Sequence, residues 1–283
     1  MANSPEGFSV GEVHALYRPF RPHHFRPECG CGDPGCDFWL RVRGAGESRL
    51  YATIFRLLPD VSFIVDSSKD PWWIRRQAAR LRRQGIEVHH LLIWKEPLLF
   101  AHSMLKRHRS GWEKAWKNYY RLYLALISDY VPVAYAELAQ FPEKTLRSLC
   151  ESCDLPWQSG RERFWQKQHH TLFGNDSAKF HLHTSGGNDV QDCDTKDAPR
   201  GGAAGHRSIY YDERCRNSLP VGVAEALAAD PDFRAIAAVL GREDGASDPA
   251  TVGYTPLQLG LARMCWAGKA VAGRALGRYW RLF

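Results

Sequence analysis

Lys95 and Ser103 stand eight residues apart in Leu91–Ser103, LLIWKEPLLFAHS, where one apolar run ends and another begins. The stretch from Ile86 to Trp94 is rich in strand formers and stops at Lys95, Glu96 and Pro97. An apolar stretch of helical length follows, from about Leu98 to Arg109. A cation at the carboxyl end of a strand, with a hydroxyl on the next helix, suits a phosphate monoester. The N–H groups and dipole at a helix start already favour an anion there. Both residue types also occupy such positions for structural reasons alone. A second concentration of reactive groups is Cys29, Cys31 and Cys36 on a turn-rich loop, with His23 and His24 just upstream. Zinc wants four such ligands at close spacing, and C-x-C-x4-C matches no common finger. The loop is read as carrying small buried thiols, with a metal site as the other reading. The remaining cysteines lack the regular spacing of a disulfide scaffold, so most are read as reduced thiols.

The elements that must position these groups alternate along the chain. Val61 to Val65 is a short β-branched and aromatic run, and residues 66–70 (DSSKD) supply helix-capping side chains ahead of Pro71. A helix is predicted from Trp72 to Gln84, with Trp73, Ile74, Ala78 and Leu81 on the apolar side and Gly85 as its stop. The strand Ile86–Trp94 and its helix come next, then a helix from Trp112 to Asp129, a strand from Val131 to Tyr135, and a helix from Pro142 to about Cys153. Strands alternating with helices predict a single α/β domain over residues 1–283. Its parallel β-sheet would be flanked by helices, with ligands beyond the carboxyl ends of the strands. Residues 184–206 lack apolar periodicity and read as a mobile loop. Residues 256–283 read as a basic amphipathic helix packed on the body, peripheral membrane contact being the other reading.

Bulk properties bound the rest. The 283 residues are 44% apolar, enough for a folded core, and carry a formal net charge of +7. That charge favours anionic partners without choosing among nucleotides, nucleic acid and acidic membrane. The arginines from Arg75 to Arg83 are not interleaved with stacking aromatics, so a nucleic-acid partner is not expected. With no basic and apolar leader pattern after Met1 and no run of about 18 apolar residues, the chain reads as soluble and cytoplasmic.

LLIWKEPLLFAHS also resembles the strand-to-helix motif hhxhhRDPRAxxxS of the sulfotransferases that use 3′-phosphoadenosine 5′-phosphosulfate. Further segments resemble that family in its order: VGEVH from Val10 to His14, the CGCG to C-x-x-W stretch from Cys29 to Trp39, and VDSSKDP from Val65 to Pro71. VAYAEL from Val133 to Leu138, HHTLFGN from His169 to Asn175, and Ile209 to Leu219 continue the likeness. The resemblance implies a P-loop NTPase-like α/β fold and transfer of a sulfuryl group to a hydroxyl or amine of a small-molecule, carbohydrate or lipid acceptor. It implies that Lys95, at the family's arginine position, and Ser103 grip the 3′-phosphate of the donor, with Lys179 the nearest cation after the HxxxGN element. Lysine keeps the charge there but loses the bidentate fork of arginine. Glu12 is the implied general base, and Ser68 and Lys69 are candidates to contact the sulfonate or the acceptor. His14, His102, His169 and His170 are further acid–base candidates.

One departure from the family pattern is large. Its P-x-S-G-[ST]-T loop, which cradles the 5′-phosphosulfate, occurs nowhere in the 283 residues. The expectation is an N-terminally truncated version of the fold, begun at an internal methionine, whose missing strand would be central in the sheet. The alternative is a nucleotide-binding or scaffold protein of the same fold that has lost catalysis.

Overall fold

The computed structural model describes residues 1–167, 169–173, 211, 218–242 and 248–276. Lys179, the loop predicted at 184–206 and most of the stretch from Ile209 to Leu219 lie outside the described residues. In chain order the elements begin with β1 (Gly7–Gly11), α1 (His14–Tyr17), α2 (Phe38–Gly44), α3 (Leu50–Leu57) and β2 (Phe63–Asp66). There follow α4 (Pro71–Arg82), β3 (Leu91–Trp94), α5 (Pro97–Leu105), α6 (Trp112–Leu126), β4 (Val131–Ala134), α7 (Tyr135–Gln140) and α8 (Pro142–Ser152). The chain closes with α9 (Val223–Ala229), α10 (Pro231–Gly241), α11 (Pro249–Val252) and α12 (Pro256–Leu276). The architecture is mixed α/β, with short parallel strand pairs among many helices. Contacts divide it into two units, one holding Met1–Lys69 and residues 146–173, the other Asp70–Thr145 and the described residues from 211 to 275.

In the first unit β1 and β2 run parallel, pairing Gly7 with Phe63, Phe8 with Ile64 and Ser9 with Val65 before a slip that sets Gly11 beside Asp66. The intervening α1, α2 and α3 bury Val13, Leu16, Phe38, Trp39, Val42, Leu50 and Ile54, the apolar cover a parallel pair requires. Leu172 bridges to Gly11 in parallel and to Cys29 in antiparallel fashion. Its N–H donates to the Val10 carbonyl at 3.0 Å, and its own carbonyl accepts from the Glu12 N–H at 2.8 Å. The Lys167 ammonium donates to the carbonyls of Ser4, Pro5 and Gly7 at 2.6, 3.0 and 2.7 Å, closing the turn that leads into β1.

In the second unit β3 and β4 are parallel and in register from Leu91 beside Val131 to Trp94 beside Ala134. The core is built on α6, whose Trp112, Trp116, Tyr120, Tyr123 and Leu124 pack with Leu92, Trp94, Phe233, Ile236 and Leu240. Burying each such side chain contributes about 1.5–3 kcal/mol, so α6 is the main apolar anchor of this unit. The start of α4 follows the predicted chemistry. Pro71 is its first residue, and the Asp70 carboxylate accepts from the N–H groups of Trp72 and Trp73 at 2.9 and 3.1 Å. Beyond its end Gly85 adopts φ +74°, the left-handed conformation of a helix stop.

The structure corrects several expectations. A strand–helix–strand pattern sets polarity and not adjacency. β2 pairs with β1 and β3 with β4, so the crossovers are α1–α3 and α5–α6, and α4 does not join two hydrogen-bonded neighbours. The strand expected over Ile86–Trp94 contracts to Leu91–Trp94, because the ladder begins only where the His90 carbonyl accepts from the Val131 N–H. Its burial is uneven, with Leu92 and Trp94 buried and Ile93 53% exposed. The helix after Pro97 ends at Leu105, with His108 in the left-handed region at φ 51°. α12 packs partly, through Leu259 on the core and Trp266 against Trp72, yet Leu257, Leu261, Met264 and Val271 on it stay exposed. Among the described residues no helix is long and apolar enough to cross a membrane.

Gly11 offers a direct test of the first unit. It adopts φ +71°, and a Cβ there would stand 2.3 Å from the Leu172 carbonyl oxygen. Gly11→Ala is expected to lower unfolding free energy in urea by about 1–3 kcal/mol or more. Gly44→Ala, on α2 with open space around it, should change it by no more than about 0.5 kcal/mol.

Candidate functional site

The carboxyl ends of two parallel strands lie side by side, so β1 and β2 deliver their following residues to one place. Asp66, the last residue of β2, organises it. One carboxylate oxygen accepts from the Ser68 N–H at 2.8 Å, the other from the Tyr51 hydroxyl of α3 at 2.7 Å. That turn leaves the buried Ser68 with its Oγ accepting from the His14 N–H at 3.0 Å, at the start of α1. The next residue, Lys69, places its ammonium 2.6 Å from Glu12 Oε1. Glu12 follows Gly11, one residue before the N-cap Val13 of α1, and its carboxylate makes an ion pair with Lys69. Three sequence-predicted residues, Glu12, Ser68 and Lys69, therefore meet. The pair is partly exposed, and such pairs contribute at most about 1 kcal/mol, so its consequence is placement more than stability.

Imidazoles border this cluster. His14 is buried and stacks on Phe20 with ring centroids 5.8 Å apart. His24 packs edge-on to Phe20 and against Phe173, its Nδ1 accepting from the N–H groups of Phe20 and Arg21 at 3.2 and 3.3 Å. Burial, then the neighbouring His23, His14 and Arg21, lower its pKa from 6.5 to about 4, against an opposing pull from Glu12. His169 is structural in its contacts: Nδ1 accepts from the Ser9 N–H at 3.3 Å, and Nε2 lies 3.4 Å from Asn3 Oδ1.

In the second unit Lys95 follows the carboxyl end of β3, and its backbone is held from both sides by α6. Its N–H donates to the Tyr120 hydroxyl at 3.3 Å, and its carbonyl accepts from Trp116 Nε1 at 2.9 Å. Its ammonium lies over the Tyr135 ring, 4.4 Å from the centroid. Glu96 precedes α5, which starts at Pro97 without a side-chain cap, so its first-turn N–H groups point toward the Lys95 end of the segment. Burial raises the pKa of Glu96, opposed by a backbone hydrogen bond and by Lys95. Ser103 is the seventh residue of α5, about 9 Å along its axis from Pro97, and is half-buried. The arrangement suits an anion at the helix start beside a fixed ammonium.

The thiol loop has a different neighbour from the one its sequence suggests. Cys29, Cys31, Cys36 and His170 bring their ligand atoms within 4.8 Å of one another, while His23 and His24 turn to Phe20 and Phe173. The three thiols are half-buried, where the sequence reading expects buried ones. Burial raises the pKa of Cys29 and Cys36 and lowers that of His170. Sequence reasoning does not find Asp66 or Tyr51, the packing of His24 on Phe20 and Phe173, or the partnership of His170 with the cysteines. Within VDSSKDP the residue type of Asp66 signals only a cap.

No protein-family model, no curated protein and no solved structure matches this chain.

The His24 environment sets a pH dependence. A neutral imidazole in the folded chain and an ordinary one in the unfolded chain mean that the unfolded state binds more protons between about pH 6.5 and 4. Its stabilising contribution is complete above about 6.5 and declines as pH falls toward 4, by something of the order of 3 kcal/mol. His24→Asn keeps an acceptor where Nδ1 stands and cannot titrate. Urea midpoints measured across that window should fall more steeply for wild type than for His24→Asn, and equal slopes would contradict the assignment.

Proposed function

We propose that this chain is a sulfotransferase of the type that takes its sulfuryl group from 3′-phosphoadenosine 5′-phosphosulfate, with the finer fold that this implies. The observation that carries the reading is Lys95: next to the carboxyl end of a parallel strand, its backbone clamped by Trp116 and Tyr120 and its ammonium over the Tyr135 ring, beside the uncapped start of α5. The order of the motifs supports it, and so does the meeting of Glu12 with Lys69 where β1 and β2 end.

In this reading Lys95 and Ser103 bind the 3′-phosphate, and the ammonium gives charge without the two-point fit of a guanidinium. Glu12 takes the proton of the acceptor hydroxyl or amine as its oxygen or nitrogen bonds to sulfur. The S–O bond to the phosphate breaks, and adenosine 3′,5′-bisphosphate leaves with the electron pair. Lys69 holds the Glu12 carboxylate in position. Ser68, through His14, positions α1 and the turn that carries Lys69. No residue is assigned to the 5′-phosphosulfate.

Calorimetry with adenosine 3′,5′-bisphosphate tests the carrying observation. Lys95→Ala is expected to weaken binding by about 10- to 100-fold and Ser103→Ala by less, as befits a charged and a neutral hydrogen bond. Glu12→Gln should retain that affinity and lose sulfate transfer to a panel of hydroxyl acceptors. Absence of nucleotide binding by the wild type, or unchanged affinity in Lys95→Ala, would sink the proposal. Binding without transfer by the wild type would favour a nucleotide-binding scaffold instead.

A further inference from the structure

The sulfur and nitrogen atoms of Cys29, Cys31, Cys36 and His170 converge across more than 130 residues of sequence. Cys29 Sγ lies 3.2 Å and Cys36 Sγ 3.4 Å from His170 Nδ1, and all four ligand atoms fall within 4.8 Å of one another. A tetrahedral zinc ion with Zn–S near 2.3 Å and Zn–N near 2.0 Å sets its ligands about 3.8 Å apart for sulfur to sulfur and about 3.5 Å for sulfur to nitrogen. The cluster is already at that scale: a bound ion would open the two sulfur–nitrogen contacts by a few tenths of an ångström and draw in the widest separations.

Its surroundings are those of a built site. The His170 ring is stacked on Phe38, with centroids 4.5 Å apart and planes 13° from parallel. The His170 carbonyl accepts from Trp39 Nε1 at 2.7 Å, so backbone and ring of the one distant ligand are both fixed by α2. The Gly30 N–H, between the first two cysteines, donates to the Thr171 carbonyl at 2.8 Å. A Cβ on Gly30 would stand 2.2 Å from Thr171 Oγ1, so only glycine permits this approach of the loop to the histidine segment. Turns close the loop itself: the Gly32 N–H donates to the Cys29 carbonyl, the Cys36 N–H to the Asp33 carbonyl, and the Asp33 carboxylate accepts from the Gly35 N–H.

We infer that Cys29, Cys31, Cys36 and His170 form a structural zinc site that pins the thiol loop to the segment beside β1. Three thiolates and one imidazole select a soft or borderline tetrahedral cation, and zinc has no redox chemistry to threaten the thiolates. Four protein ligands leave no open position, so the ion acts by holding structure and not by activating water. Binding releases the thiol protons to solvent as Zn–S bonds form. The site is independent of the sulfotransferase reading, because none of its ligands is assigned to substrate.

The test is metal analysis of the purified chain together with cobalt substitution. About one equivalent of zinc per chain is expected, released when the thiols are titrated with a mercurial. Cobalt(II) added to the metal-free protein should give thiolate charge-transfer absorption and the intense visible bands of a tetrahedral ion. Cys36→Ser and His170→Ala should lose the metal, His170→Cys should keep it with a four-thiolate spectrum, and Cys265→Ser, on α12, should be unaffected. The cobalt titration of wild type decides the matter even where a variant does not fold. Less than about a tenth of an equivalent after zinc supplementation, with no cobalt charge-transfer band, overturns the inference. So does a disulfide mapped between any two of the three cysteines, or an iron–sulfur cluster in place of zinc.

Discussion

The first unit depends on one backbone contact, the seating of Leu172 against β1. Its N–H and C=O satisfy Val10 and Glu12, groups on the edge of β1 away from β2 that would otherwise lack a ladder partner. Two glycines make the approach possible. Gly11 takes a left-handed conformation under the Leu172 carbonyl, and Gly30 admits Thr171 from the other side. Whatever fixes this segment also fixes the backbone of Glu12, because the Glu12 N–H is one of its hydrogen bonds. A cation held by His170 and the thiol loop would act two residues from that contact, which gives a structural ion a route to the candidate base without touching substrate.

The second unit solves a parallel problem with aromatic groups. Lys95 leaves a four-residue strand, too short to fix its end by ladder bonds alone. Trp116 and Tyr120, one helical turn apart on α6, reach its carbonyl and its N–H and at the same time form part of the main core. Burial pushes the Tyr120 phenol up to about 12, so it stays a neutral hydrogen-bond partner across the physiological range. Core packing and cation placement are thus one interaction, and a cavity at Trp116 would disturb both.

What the sequence made legible was local. Asp70, Pro71 and Gly85 announced the two ends of α4 because caps and stops act within a turn of their own position. β4 and α8 were readable from the same kind of signal, to within a residue or two. Strand pairing was not legible, since β-branched runs state that a strand exists and nothing about its neighbour. The same limit hid His170. The cysteines pointed to the nearest histidines, His23 and His24, but those rings pack on Phe20 and Phe173, and the nitrogen that faces sulfur comes from 134 residues after Cys36. Asp66 was visible as a residue type but not as the hinge between Tyr51 and Ser68, a role that exists only once α3 folds back beside β2.

Charge illustrates why composition alone could not choose a partner. The net charge of +7 suggests a polyanion surface, but several of the cations are already committed inside the second unit. Arg82 pairs with Asp129, Lys117 with Asp230, and Arg121 with Asp232, while Arg76 lies over the rings of Trp73 and Trp266. Such pairings neutralise part of the formal charge locally, so the total says little about any one surface. A single ammonium fixed over an aromatic ring at a helix start is a different device. In the proposed reading it would serve one phosphate monoester, whose two negative charges would meet a point charge and a set of oriented N–H dipoles, so that placement would count for more than the total charge of the chain.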